Sequence, residues 1–276
     1  MSAAGSITEP RGATKWFLRA NGWLVYAFFY LPIVVLVIYS FSDARNVGIW
    51  GGFTTDWYRE AINDQPIRDA VGNSIRVALV STVVSVVFGT MSALALERFT
   101  FRGRKVFDAL LYLPIIIPDV TMAVMLLLFF GQVDDYWNFS KGFGTITLSH
   151  IAFNISFVSV VVRARLAGTD ETLEEAAQDL YASRWMAFRH VTLPTIMPGV
   201  LGGALLALTL SLDDVVITQL VQGPGSTTLP VYVFSLIRKG VTPLINAVSV
   251  LMLLASTILV LASLLLQRSR GGPATT

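Results

Sequence analysis

Residues 77–96 read VALVSTVVSVVFGTMSALAL, an uncharged run of twenty residues held between Arg76 and Glu97. A helix climbs about 1.5 Å per residue and bilayer hydrocarbon is about 30 Å thick, so such a run has the length of one crossing. The signature recurs along the chain at 20–42, at 109–118 continuing past Asp119 to 133, and at 142–162, 190–212, 215–237 and 240–267. Within the window 215–237, residues 222–230 (QGPGSTTLP) carry turn chemistry, so that window reads as a helix end and a loop. Six spans are predicted, at about 21–41, 71–95, 107–130, 145–164, 196–220 and 244–267. A closed β-barrel is the other way through a bilayer, but its strands alternate over ~10-residue segments and no stretch here does so. The predicted class is an all-α membrane protein with six transmembrane helices.

Composition agrees. Of 276 residues, 54% are hydrophobic and 14% charged, against about 25% charged in soluble domains. Thirteen of the 20 Lys and Arg fall within 11–19, 98–105, 163–189 and 268–270. Basic residues collect on the cytoplasmic side of membrane proteins, so both termini are predicted to be cytoplasmic. The net charge of +2 and the pI near 9.0 reflect that bias and do not point to nucleic acid. With no cysteine, disulfides, thiol catalysis and Cys-ligated metals are excluded. The first apolar window is too long for a signal-peptide core and lacks a clear small-residue cleavage site, so it reads as an uncleaved first span. The predicted division is a cytoplasmic segment 1–20, a transmembrane domain 21–267 and a cytoplasmic tail 268–276. Pro32 predicts a kink in the first span, Pro114 and Pro118 predict bends in the third, and 131–144 reads as an outer loop.

The longest predicted cytoplasmic segment, 165–195, reads RLAGTDETLEEAAQDLYASRWMAFRHVTLPT. Thr172 followed by Glu175 is a capping-box pattern, and Leu173, Ala176, Ala177 and Leu180 then fall at helical spacing. Ser183 is placed to cap a second short helix carrying Trp185, Phe188 and Arg189, which Leu193-Pro194 is expected to end. Two short helices joined by a turn have the shape of a docking element.

Glu175-Ala176-Ala177, Ala182-Ser183 and Val191-Thr192-Leu193-Pro194 resemble the EAA loop of ABC-importer permeases. In that family the loop's helix sits in a groove of a cytoplasmic ATPase and transmits its closure to the membrane. The resemblance implies the type I importer fold and assigns ATPase coupling to Glu174, Glu175, Ala176, Ala177, Leu180, Tyr181, Ala182, Leu193 and Pro194. The alternative for Glu175 is a solvated helix-capping residue. The chain departs from the family in carrying Tyr181 where glycine is usual. Glycine there serves a left-handed conformation, which costs other residues ~1–2 kcal/mol.

Asn73-Ser74-Ile75, Arg102-Gly103, Pro118-Asp119, Ser211-Leu212-Asp213-Asp214-Val215-Val216 and Leu229-Pro230 with Tyr232, Ser235, Gly240-Val241, Pro243 and Asn246-Ala247 are similar to the second permease of polyamine importers. The resemblance runs from about 70 to 267, through most of the predicted spans. It implies a bacterial inner-membrane subunit working with a second, similar permease, two ATPase subunits and a periplasmic binding protein that delivers spermidine or putrescine. The chain has no Walker-A pattern, so no cofactor is expected in it, and ATP and Mg would reside on the partner ATPase.

Physics singles out Asp119, Asp213 and Asp214, because carboxylates inside a membrane cost several kcal/mol unless they face water or a partner. Neighbours on a helix point ~100° apart, so Asp213 and Asp214 are expected to do different jobs. One reading lines a polycation pathway with them; the other pairs them with Arg76 or has them cap backbone freed by prolines. His150 reads as a packed or interfacial residue, and two histidines in all argue against a metal site. Gly199 and Gly203 form a GxxxG pattern, expected at a close helix contact. The resemblance implies that segment 229–243 lies against the binding protein or at an outer gate; the alternative is that Tyr232, Phe234 and Leu236 are packing residues. Three alternatives stay open: import of another organic cation, an opine, an amino-acid derivative or ferric iron; an ion-coupled secondary transporter using the aspartates; and an intramembrane enzyme using carboxylates from spans 3 and 5.

Overall fold

The computed structural model describes residues 12–169, 172–240 and 242–270. In chain order, α1 is Gly12–Tyr39, α2 Asp56–Asn63, α3 Gln65–Arg98, α4 Arg104–Ile116, α5 Asp119–Trp137 and α6 Phe143–Leu166. They are followed by α7 (Thr172–Asp179), α8 (Arg184–Ala187), a π-helical turn (Phe188–Thr192), α9 (Leu193–Asp213), α10 (Val216–Val221), α11 (Leu229–Lys239) and α12 (Pro243–Arg270). The chain divides into two compact units, one of residues 1–61 with 240–251 and one of 62–239 with 252–276.

In the first unit, α1 runs through Pro32 and presents its apolar residues outward, Trp23 at 75% exposure. The loop after it is knotted around Ser42. That residue bridges Phe53, its hydroxyl donates to Ile49 O at 2.8 Å, and its carbonyl accepts from Trp57 Nε1 at 2.8 Å.

In the second unit, α3, α6 and α9 pack on one another. Small residues set the approach. A Cβ on Gly89 of α3 would lie 2.7 Å from Val158 Cβ of α6, and one on Gly203 of α9 would lie 3.3 Å from Val158 Cγ1. Val158 is fully buried between them, with Ala93, Val162, Leu166, Ile196 and Ala207. Gly199 meets Arg165 of α6 in the same way, so the GxxxG pair serves a contact inside this chain. A second core joins Val77, Ala123, Phe130, Ile146, Ile217 and Val221.

Among the described residues, four helices are long and apolar enough to cross a membrane, and α4 with α5 makes a fifth if that bent pair is one span. The sixth predicted span lies in α12, whose described apolar part runs Pro243–Ile258. Five boundaries differ from the sequence reading, the first being that the loop read after residue 222 contains α11 (Leu229–Lys239). The third predicted span is not one bent helix: α4 and α5 meet at 111°. Pro118 lacks an N–H, and Ile117 before it takes an extended conformation with ψ 130°. The predicted outer loop 131–144 is mostly helix, since α5 runs to Trp137 and is closed by Asn138 at φ 51°. The fifth predicted span breaks after Asp213.

Leu193-Pro194 does not end a helix either, because residues 184–213 form one continuous run. In a helix interior the proline ring collides with the carbonyl four residues back. The π turn just ahead of it, in which Leu193 N–H donates to Phe188 O, widens the spiral where Pro194 enters.

Candidate translocation cavity and coupling segment

A cavity of about 840 Å³ opens in the second unit where two helix breaks face it. Asp119 stands there as the first residue of α5, just past the Pro118 corner. Asp213 stands there as the last residue of α9. Both are exposed. Thr209 of α9 and Ser256 and Thr257 of α12 add hydroxyls to walls otherwise formed by residues such as Phe153, Leu206 and Met252. Carboxylates and hydroxyls on apolar walls suit an elongated cation, whose amines take the acceptors while its methylenes lie on the hydrocarbon.

Asp214 also borders the cavity, but its carboxylate is turned to the next helix. It accepts from Ile217 N at 3.3 Å, Thr218 N at 2.7 Å and Thr218 Oγ1 at 2.7 Å. This is the N-cap arrangement that satisfies the orphan donors of a helix start. Opposite it, His150 of α6 is 3% exposed and bridges two elements. Its Nδ1 lies 2.7 Å from Ser211 Oγ, and its Nε2 lies 3.0 Å from Thr218 Oγ1 and 3.3 Å from Asp214 Oδ2. Ser211 in turn meets Ser81 of α3 at 3.1 Å. The two adjacent aspartates therefore point to different partners. Arg76 forms no ion pair with Asp119, Asp213 or Asp214 among the described residues, and the backbone that Asp214 caps is freed at a break that holds no proline. His150 is a packed residue, and no metal-holding group of carboxylates and histidines occurs among the described residues.

The second site is the 165–195 segment. Thr172 opens α7; Glu171 before it lies outside the described residues. At the far end of α7, Ala182 N donates to Ala177 O at 3.1 Å and Tyr181 N to Gln178 O at 2.9 Å. These are the paired bonds of a Schellman motif, with Tyr181 in the left-handed position usually taken by glycine. Its φ is 66°, so the turn forms without the glycine. Ser183 caps α8 by accepting from Met186 N, as the sequence predicts. Leu180 and Tyr181 are 81% and 99% exposed. Trp185, stacked on Phe188 at 5.6 Å, is 68% exposed. Glu175, Ala176 and Pro194 are also exposed, while Ala177, Ala182 and Leu193 are half-buried.

Glu174 turns inward instead. Its Oε2 accepts from Thr192 Oγ1 at 2.7 Å and pairs with Arg98 Nη1 at 3.2 Å. This ties α7 to the end of α3 and to the π turn that leads into α9. Neighbouring Glu97 accepts from Arg163 Nε at 2.8 Å, and Arg163 Nη1 reaches Asp108 of α4 at 2.5 Å. Sequence reading missed Arg98, Glu97, Arg163, Asp108 and the bridging role of His150, because each acts through a partner distant in the chain.

Residues 85–269 match the model of the binding-protein-dependent transport system inner membrane component family. The chain belongs to that family. This transport component is 43% identical over 233 residues to the putrescine transport system permease protein PotI of Escherichia coli strain K12, covering 83% of each chain. It is 37% identical over 246 residues to the spermidine/putrescine transport system permease protein PotC of the same strain, covering 89% of this chain and 92% of that one. Its fold matches a bacterial ABC transporter that imports the acidic polysaccharide alginate, with a TM-score of 0.70 at 18% identity over 93% of this chain and 99% of that one. As a permease, the transport component moves a solute and is not an enzyme.

Proposed function

We propose that this chain is one of two permease halves of an ATP-driven importer of polyamines, putrescine or spermidine, in a bacterial inner membrane. The observation that carries the reading is the pair of exposed carboxylates, Asp119 and Asp213, brought to one cavity from two helix breaks. A polyamine carries positive charges spaced along methylenes and needs separated acceptors on an apolar wall. The names of the relatives support the same substrate class.

In this reading both termini lie in the cytoplasm, and α7 and α8 dock one of two ATPase subunits through Leu180, Tyr181 and Trp185, with Glu175, Ala176, Ala177, Ala182, Leu193 and Pro194 shaping the segment. ATP and Mg belong to those subunits. A periplasmic protein delivers the substrate, and lipid and the second permease cover the apolar faces of this chain. ATP-driven closure of the ATPases rocks the two permease halves between outward and inward states. The aspartates take no catalytic role and no nucleic acid is involved.

The test is uptake of radiolabelled putrescine and spermidine into proteoliposomes holding the whole complex, with ATP and the binding protein on their proper sides. ATP-dependent accumulation, competed by unlabelled polyamine, is expected. ATP hydrolysis stimulated by the binding protein without polyamine uptake would remove the substrate assignment and leave the importer. Uptake driven by membrane potential without ATP would instead establish an ion-coupled transporter.

A further inference from the structure

The last two residues of α3 face different ways and hold different parts of the molecule. Arg98 pairs with Glu174 on α7 at 3.2 Å. Glu97 pairs with Arg163 on α6 at 2.8 Å, and the same guanidinium reaches Asp108 on α4 and lies 5.9 Å from the centre of the Tyr112 ring. All five charged side chains are between 20% and 37% exposed, so the pairs are partly shielded from solvent screening.

From Asp108 the route continues through rigid parts. Helix α4 is short, with 13 residues, and Pro114 inside it has its own φ fixed by its ring. It is joined to α5 by Ile117 and Pro118 alone, and both are restricted, the proline by its ring and Ile117 by the proline after it. Swinging α4 therefore carries the start of α5 with it, and α5 packs against α10 just beyond the Asp213–Asp214 break.

We propose that Glu97 and Arg98 form the joint by which displacement of α7 is passed to α4, and by the stiff Pro118 corner to the cavity wall on α5. The proposal rests on the reading that α7 and α8 dock an ATPase. Each charged group has a separate job: Glu174 takes up the movement, Arg98 and Glu97 carry it across α3, and Arg163 hands it to Asp108. These are positioning residues that touch no substrate.

The chain contains no cysteine, so a single Val120→Cys on α5, where the native residue is 60% exposed, gives a clean reporter in the assembled complex. Its labelling rate by a water-soluble thiol reagent is measured without nucleotide and with ATP, alongside co-purification of the ATPase. With the joint intact, the two rates should differ by about fivefold or more, the lower end of ordinary coupling between sites. Arg98→Gln and Asp108→Asn should each abolish most of that difference while the ATPase still co-purifies. The exchange Arg98→Glu with Glu174→Arg should restore it, since Thr192 can accept from the new guanidinium as it now donates to the carboxylate. The exchange also covers the case in which Arg98→Gln fails to assemble.

A nucleotide-dependent difference that survives both single substitutions in assembled complex overturns the proposal. So does an exchange variant that assembles without restoring the difference, or an intact joint whose reporter ignores ATP. Loss of ATPase co-purification from the unsubstituted chain would overturn the docking reading itself, and the two failures are thus told apart. Neither readout depends on which solute is carried.

Discussion

His150 Nε2 lies 3.3 Å from Asp214 Oδ2, while its Nδ1 lies 2.7 Å from Ser211 Oγ, so one buried ring spans the break between α9 and α10. The ring closes the break from the α6 side, and the carboxylate closes it from within. Removing one partner of a buried hydrogen-bonded network leaves the others unsatisfied at about 1–3 kcal/mol. His150→Leu is therefore expected to destabilise the purified complex by about that amount, read as a lowered midpoint of thermal unfolding. His150→Gln, which keeps a donor and an acceptor, should lose less.

The two adjacent aspartates should separate in their effects. Asp213 is exposed to the cavity, so Asp213→Asn should raise the KM for polyamine uptake while leaving stability within about 0.5 kcal/mol, as exposed substitutions do. Asp214→Asn removes a charged acceptor from Thr218 N and Oγ1, so it should lower the unfolding midpoint. Equal KM changes with equal stability in both variants would contradict this division. Asp119→Asn should behave as Asp213→Asn does.

Gly89→Val places a branched side chain where even one Cβ would lie 2.7 Å from Val158 Cβ. Overpacking of this kind costs about 1–3 kcal/mol, so the variant should show reduced yield of folded protein. Val158→Ala in the same chain should recover part of it. Recovery is the informative readout, because it ties the defect to this one contact.

Tyr181→Gly should stabilise the turn locally. Tyr181 is 99% exposed at φ 66°, so it gives up no internal packing while relieving a left-handed cost of ~1–2 kcal/mol, partly offset by the greater unfolded-state freedom of glycine. Slower amide hydrogen exchange through α7 is the expected measurement. Assembly with the ATPase should weaken at the same time if the ring contributes to docking.

The apolar windows made the crossing helices legible, because twenty uncharged residues leave a backbone few other ways to satisfy its hydrogen bonds in lipid. The corner at Pro118 was signalled by the proline, but not its angle of 111°, which depends on what α4 and α5 pack against. The break at Asp214 carries no glycine or proline. Its trace in the sequence is a capping residue followed by four β-branched residues, Val215 to Thr218. Helix α11 was hidden behind a turn-rich stretch. It is fixed from far away: Asn73 donates to Gly225 O and Thr227 O, and Ser74 accepts from Leu229 N. Asp119, Asp213 and Asp214 stood out as charges in lipid. What no periodicity carries is that Asp214 is claimed by a histidine 64 residues earlier.

The π turn at Phe188–Thr192 amounts to one residue more than an α-helix needs between α8 and α9. The widened turn takes up that residue, so the exposed Trp185 of α8 and the cavity-bordering residues of α9 keep the phase of one continuous helical run. Deleting a single residue there would let the spiral close as plain α-helix with the faces of α8 and α9 nearly unturned, and would bring the Pro194 ring against the carbonyl four residues back. What the extra residue provides is thus room to carry Pro194 inside a continuous helix, set by the length of the chain there and not by which side chains the turn holds.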